Sequence, residues 1–176
     1  LQTGVLTHPA DLGIAYDGDG DRVGFIDNLG RFVPPDYIGA ILAQEQGSSI
    51  VTPISTSQVI DTLGKKVYRT RVGSPHVLAV MKQVGSRFGF EASSGFIHRE
   101  VMMTRDGGST TIKLLNLLAK SKKSLSELYD SLPKFFLFRT KVDCPSALNQ
   151  IIIDEATYAF AGREDLTDGA KIWLSD

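Results

Sequence analysis

Between residues 49 and 132 short apolar runs alternate with amphipathic segments, and only a few residues connect one to the next. "SIVTPI" reads as a strand, and "TSQVIDTLG" as a short helix with Thr56 or Ser57 as its cap and Gly64 at its end. "KKVYRT" is a second strand; "SPHVLAVMKQVG" is a helix with Ser74 as cap and Pro75 at the first helical position. "RFGFE" is a third strand. "DGGSTTIKLLNLLAK" holds the longest helix, with Ile112, Leu115 and Ala119 on one face. "SLSELYDSLP" opens with a capping box, Ser124 and Glu127, and closes at Pro133. Strand–helix–strand units joined this tightly predict an α/β fold with a parallel, doubly wound sheet.

The flanks read differently. "LGIAY" is a short apolar run, expected to be a buried strand that ends at Asp17. "VGFID" and "RFV" surround the turn signal "NLG" and form a hairpin. "PPDYIGAILAQEQG" is a helix with Asp36 as cap, Ile38, Ile41 and Leu42 on one face, and Gly47 as its stop. Pro34 and Pro35 mark a domain boundary. Beyond the repeated units, "FLFRTKV" reads as a strand, "SALNQIIIDEATYAFAG" as a helix and "AKIWLS" as a strand, the beginning of a second α+β unit. With Leu1 at one end and "KIWLSD" at the other, the chain reads as a piece of a longer protein.

Composition narrows the function classes. A 42% hydrophobic, 22% charged chain with a net charge of -1 is ordinary globular material, without the basic surface that nucleic acid requires. Runs such as "FFLF" and "IIID" are far too short to span a bilayer, and no signal-peptide pattern opens the chain. The single cysteine, Cys144, cannot form an internal disulfide, which fits a cytoplasmic protein.

In an open parallel sheet, ligands collect beyond the carboxyl ends of the strands. "STS" at 55–57, "RVGS" at 71–74 and "EASSG" at 91–95 follow the three strands, so three polar loops share one rim. Such loops suit a polyhydroxylated or phosphorylated ligand. Upstream, "YDGDGDR" sets Asp17, Asp19 and Asp21 at alternate positions, separated by Gly18 and Gly20. Side chains two apart in an extended segment point the same way, and glycine allows a tight fold around their meeting point. Three converging carboxylates repel one another unless a hard divalent cation neutralises them; oxygen ligation favours Mg²⁺, Ca²⁺ or Mn²⁺. A solvated acidic turn is the bland alternative. An EF-hand is excluded, because Arg22 and Asn28 stand where its Gly and Glu belong. A haloacid dehalogenase-type phosphatase also runs an apolar strand into D-x-D, but Asp21 occupies the threonine position of its D-x-D-G-T.

"ADLGIAYDGDGDRVGFIDNLGRF" resembles the metal-binding loop of the α-D-phosphohexomutases, the phosphoglucomutase and phosphomannomutase family, which carries D-G-D-G-D-R after such a strand. "TRVGSPHVLAVM" is similar to the family's T-[KR]-x-G loop and following helix, and "GFEASSGF" to its sugar-recognition loop G-E-x-S-G. "TRDGG" stands at the family's D-G-x helix start. The resemblance implies four domains around one cleft: residues 1–30 ending the second, 31–140 forming the third, and 141–176 starting the fourth. Neither the T-A-S-H-N-P loop bearing the catalytic serine nor the R-P-S-G-T-E-P phosphate loop occurs in these residues. On this account residues 1–176 alone have no mutase activity.

What the resemblance implies chemically is transfer of a phosphoryl group between O1 and O6 of a hexose, through a bisphosphorylated sugar and a phosphoserine. Mg²⁺ would sit on Asp17, Asp19 and Asp21, with Arg22 facing the phosphoryl group as a catalytic cation. Glu91 and Ser93 would hold ring hydroxyls, and Arg71, Gly73 and Ser74 would line the same wall. Phe90 replaces the first Gly of the sugar loop, while Ser94 and Gly95 stand at its G-H positions, so the usual His is missing. That departure counts against a plain phosphoglucosamine mutase. A non-catalytic sugar-phosphate or metal-binding module of the same fold is the competing class. His8, His76, His98 and Cys144 lack partner spacing and read as structural, and Asp106 reads as a helix cap.

Overall fold

The computed structural model describes residues 1–8, 10–136, 138, 140–160 and 162–173. They divide into two compact units, Leu1–Phe135 and Phe136–Asp176.

The first unit opens with a short helix absent from the sequence reading, α1 (Gln2–Thr7), followed by β1 (Leu12–Tyr16), β2 (Val23–Asp27) and β3 (Phe32–Val33). These strands form an antiparallel sheet in the order β1-β2-β3; the β2–β3 hairpin is the one its turn signal predicts, and β1 pairs with the other side of β2. β1 is not the buried strand expected: only Gly13 is buried, because β1 is an edge strand with a single neighbour. The β2–β3 turn is built on Asp27, whose buried carboxylate accepts the Arg31 N–H at 2.9 Å and Arg31 Nε at 2.7 Å.

The main sheet has the order β5-β4-β6-β7, with β4 (Ser49–Pro53), β5 (Lys66–Thr70), β6 (Phe88–Glu91) and β7 (Gly95–His98). β5, β4 and β6 are parallel, as predicted; β7 runs antiparallel to β6 along the edge. β7 has no counterpart in the sequence analysis, because a four-residue strand reached through a tight turn carries no periodic signal of its own. Alternation along β4 sends neighbouring side chains to opposite faces. Ile50 joins Phe88, Phe90 and Phe96 under α2 (Pro35–Ala43), α4 (Gly107–Ser121) and α5 (Leu125–Asp130). Val51 joins Ile97, Val77 and Met81 under α3 (Ser74–Val84). Helices therefore cover both faces. α3 lies so close that a Cβ on Gly89 would meet Met81 Sδ at 2.5 Å, which explains a glycine in mid-strand.

Several local expectations change. Asp36 does not cap α2: Pro34 is the N-cap, and the buried Asp36 carboxylate accepts the Ser57 N–H at 2.7 Å. α2 ends at Ala43, before Gly47. Residues Gln58–Leu63 form a 3-10 helix capped by Ser57 and closed by Gly64. Gly73 rather than Ser74 is the N-cap of α3. Asp106 caps α4 and the Ser124–Glu127 capping box starts α5, both as predicted. The buried face of α4 carries Thr110, Thr111, Leu114 and Leu117, whereas Ile112 and Leu115 are exposed. Its two threonines pack inward, so the strongest apolar stripe misidentified the core face.

Buried His98 shows why. Its ring stacks on Phe88 at 5.2 Å, and Nε2 lies 3.1 Å from Thr110 Oγ1. The Thr110 hydroxyl donates to the Asp106 carbonyl at 2.6 Å, so Nε2 must carry the ring proton and Nδ1 is a bare acceptor without a partner among the described residues. Burial, reinforced by Lys113, pushes the His98 pKa down to about 4 from 6.5. An unfolded chain therefore takes up this proton first as pH falls. The stability that neutral His98 allows is complete above pH 6.5 and is lost between there and about 4, by roughly 3 kcal/mol. Chemical denaturation at pH 7 and pH 4 should show a smaller loss for His98→Phe than for the parent; equal losses would contradict this.

In the second unit, a 3-10 turn (Ser146–Leu148) leads into α6 (Asn149–Ala159), and β8 (Arg163–Asp165) pairs antiparallel with β9 (Lys171–Trp173). The strand expected over 136–142 is absent from its described residues; Leu137 and Arg139 lie outside them, as do the last residues of "AKIWLS". No helix among the described residues is long and apolar enough to cross a membrane.

Candidate active site

The aspartates do converge, though not through the pleat of an extended strand. Residues 17–22 form the hairpin loop between β1 and β2, closed by the Gly20 N–H on the Asp17 carbonyl at 3.3 Å. Gly20 has φ +74°, a conformation that glycine adopts without the Cβ penalty. One carboxylate oxygen from each of Asp17, Asp19 and Asp21 comes within 4.8 Å of the other two. Asp17 is pinned by its own loop: Oδ1 accepts the Arg22 N–H at 3.1 Å and Oδ2 accepts Arg22 Nε at 2.5 Å. This guanidinium holds the Asp17 carboxyl below the usual carboxylate range and is itself held further towards the charged form. Arg22 remains half exposed, with Nε 3.8 Å from Asp21. Asp19 is exposed.

The loop does not stand alone. Arg22 forms an isolated bridge with Gly95, and the Val23 N–H donates to the Ser94 carbonyl at 3.2 Å. On its other side the Gly107 N–H, in the first turn of α4, donates to the Gly20 carbonyl at 3.1 Å. A Cβ on Gly107 would lie 2.7 Å from that carbonyl oxygen, so only glycine permits the approach. The acidic hairpin is thus clamped between the β6–β7 turn and the start of α4.

Glu91 ends β6 and is 5% exposed. Its Oε1 accepts the Gly73 N–H at 3.2 Å, joining the 71–74 and 91–95 loops on the shared rim. Oε2 lies 3.4 Å from Arg105, whose guanidinium also pairs with Asp21. Ser93 is exposed in the turn after Glu91, and Ser94 takes φ 74° to complete it. Arg71 is exposed and Ser74 half-buried, either side of Gly73. At the third loop, Thr56 meets the buried Thr52 of β4 at 2.6 Å, and Thr52 donates to the Phe90 carbonyl at 2.9 Å, a structural role. Sequence reasoning gave no part to Arg105; it lay inside the quoted "TRDGG", but 84 residues from Asp21.

The donor set fits a hard divalent cation. Asp17, Asp19 and Asp21 bring three negative charges against the guanidinium of Arg22 and that of Arg105, which Asp21 shares with Glu91, so the loop keeps a net negative charge to be neutralised. All available ligand atoms are oxygens.

Residues 34–136 match the model of phosphoglucomutase/phosphomannomutase, alpha/beta/alpha domain III. The chain belongs to this family. That sets aside the haloacid dehalogenase-type reading. The chain is 38% identical over 178 residues to the phosphoglucomutase/phosphomannomutase of Thermococcus kodakarensis, covering 95% of this chain and 39% of that protein. It is equally, 38%, identical to a probable phosphoglucosamine mutase of Methanothermobacter thermautotrophicus, across 100% of this chain and 41% of the relative. Overall identity therefore does not separate the two kinds of relative. In fold, the chain is similar to a phosphoglucomutase/phosphomannomutase family protein from Burkholderia thailandensis, with TM-score 0.77 and 23% identity over 99% of this chain and 40% of that one. It also resembles in fold an Aspergillus fumigatus N-acetylphosphoglucosamine mutase solved with GlcNAc-6P and magnesium (TM-score 0.57, 15% identity, covering 89% and 43%). The chain spans about two fifths of the length of the curated relatives it matches.

Proposed function

We propose that residues 1–176 are the metal-binding and sugar-recognising part of a cytoplasmic hexose-phosphate mutase, an enzyme that interconverts hexose 1-phosphate and hexose 6-phosphate. One observation carries this reading: a three-carboxylate loop is joined by a single guanidinium to a buried carboxylate on the ligand-binding rim of a parallel sheet. Residues 1–30 would close the second domain, 31–140 form the third and 141–176 begin the fourth. The first domain, the rest of the second and fourth, and the catalytic serine would come from the remainder of the protein.

Asp17, Asp19 and Asp21 would hold Mg²⁺, which when bound supplies positive charge to the phosphoryl oxygens. Arg22, fixed beside Asp17 and half exposed, would offer a permanent cation to the same phosphoryl group. Glu91 would accept hydrogen bonds from two ring hydroxyls, its orientation set by the Gly73 N–H and Arg105. Ser93 would add a hydroxyl at the open end of the turn, and Arg71 and Ser74 would line the wall beside Gly73. Because the hexose must present O1 and O6 in turn, contacts to ring hydroxyls rather than to one phosphate suit both orientations.

The test is the full-length protein with Mg²⁺, a catalytic amount of bisphosphorylated hexose, and glucose, mannose or glucosamine 1-phosphate in turn. Formation of the 6-phosphate from at least one is expected, and kcat/KM ranks the three. No conversion of any, with sugar phosphate still bound, would favour the non-catalytic module instead.

A further inference from the structure

The Arg105 side chain touches both halves of the candidate site. One Nη pairs with Asp21 Oδ2, and the other lies 3.4 Å from Glu91 Oε2. Its side chain is 28% exposed, so the pairs are partly shielded from water. The backbone beneath is tied down from both directions: Arg105 bridges Ile97 of β7, and the next residue donates to the Phe96 carbonyl at 3.0 Å before capping α4. We propose that Arg105 is a positioning residue that makes Asp21 and Glu91 one rigid unit, setting the distance between the phosphoryl-transfer centre and the carboxylate that holds the sugar. The inference rests on the function proposed above and gives its two halves a physical link.

The chemistry of the fork explains the residue type. A guanidinium presents parallel donors in one plane and can hold two carboxylates at a fixed separation; an ammonium is a point charge on a flexible stem. Steric evidence agrees. A Cβ on Gly95 would stand 2.3 Å from Arg105 Cδ and 3.1 Å from Cγ, so the side chain runs directly over a position where only glycine leaves room. Gly95 is therefore part of the device: it lets Arg105 cross the β6–β7 turn to reach the acidic loop.

Full-length Arg105→Met, Arg105→Lys and Gly95→Ala variants test this, each alone and with Glu91→Gln. Three quantities are measured: kcat/KM, the dissociation constant for hexose 6-phosphate by calorimetry, and the melting temperature. Arg105→Met should weaken both kcat/KM and sugar-phosphate binding by roughly tenfold or more, since sub-ångström placement governs both. Gly95→Ala should do the same with the guanidinium still present, and Arg105→Lys should fall between. In the Glu91→Gln background, Arg105→Met should add less than about twofold, the signature of two residues acting as a unit. Multiplicative losses, or a lowered melting temperature with binding unchanged, would overturn the proposal. If Glu91→Gln weakens binding while Arg105→Met and Gly95→Ala leave it intact, only this inference falls. If Glu91→Gln itself has no effect on binding, the site reading fails and takes the inference with it. Should Arg105→Met not fold, Gly95→Ala and Arg105→Lys carry the same comparison.

Discussion

Replacing Asp19 with alanine in the full-length protein is expected to lower mutase turnover by roughly a hundredfold or more, with stability changed by less than about 0.5 kcal/mol. Asp19 is the most informative of the three aspartates. Asp17 is held by Arg22 and Asp21 by Arg105, so removing either also releases a guanidinium. Asp19 is exposed and makes no hydrogen bond among the described residues, so its loss subtracts a ligand oxygen and a charge and little else. With it gone the loop keeps two carboxylates, Asp17 and Asp21, each already paired with a guanidinium, too little for a hard divalent cation at low concentration. Activity in the alanine variant that persists after metal chelation would remove the aspartate loop from the mechanism. An acidic turn that merely faces solvent would tolerate the change.

Glu91→Ala should show the next largest effect. A carboxylate accepting ring hydroxyls contributes about 1.5 to 3 kcal/mol, so kcat/KM should fall roughly tenfold to a hundredfold. Stability should fall too, because the Gly73 N–H loses its acceptor and Arg105 is left with Asp21 alone. The two effects separate by measurement. If Glu91 only ties the 71–74 loop to the sheet, the variant melts earlier and kcat/KM per folded molecule is unchanged for every hexose phosphate.

The contrast between what sequence revealed and what it hid follows from chain distance. The aspartate hairpin, its Arg22 partner and the caps at Asp106 and Ser124 depend on residues a few positions apart, and their chemistry is visible as spacing. The three rim loops were placed correctly because parallel strands must put their carboxyl ends together. Arg105 was invisible for the opposite reason: its partners lie 84 and 14 residues away, and nothing local distinguishes it from a surface arginine. β7 was missed because its four residues are all buried on an edge beside the turn, with no alternation to read. On α4 the apolar stripe through Ile112 and Leu115 faces outward, while Thr110 and Thr111 turn inward, Thr110 answering His98 and Thr111 answering Tyr16 at 2.7 Å. Hydrogen-bonded partners across the fold outweighed the helical pattern there.

The central claim is that one site holds a divalent cation and a hexose phosphate and moves the phosphoryl group between O1 and O6. Phosphorus NMR of the full-length protein with a hexose 1-phosphate, bisphosphorylated hexose and Mg²⁺ reads that transfer directly. The account predicts that the 1-phosphate resonance gives way to the 6-phosphate resonance at conserved total phosphorus ester, and that Asp19→Ala abolishes the change. Release of inorganic phosphate in place of the 6-phosphate, or interconversion undiminished in Asp19→Ala, would contradict it.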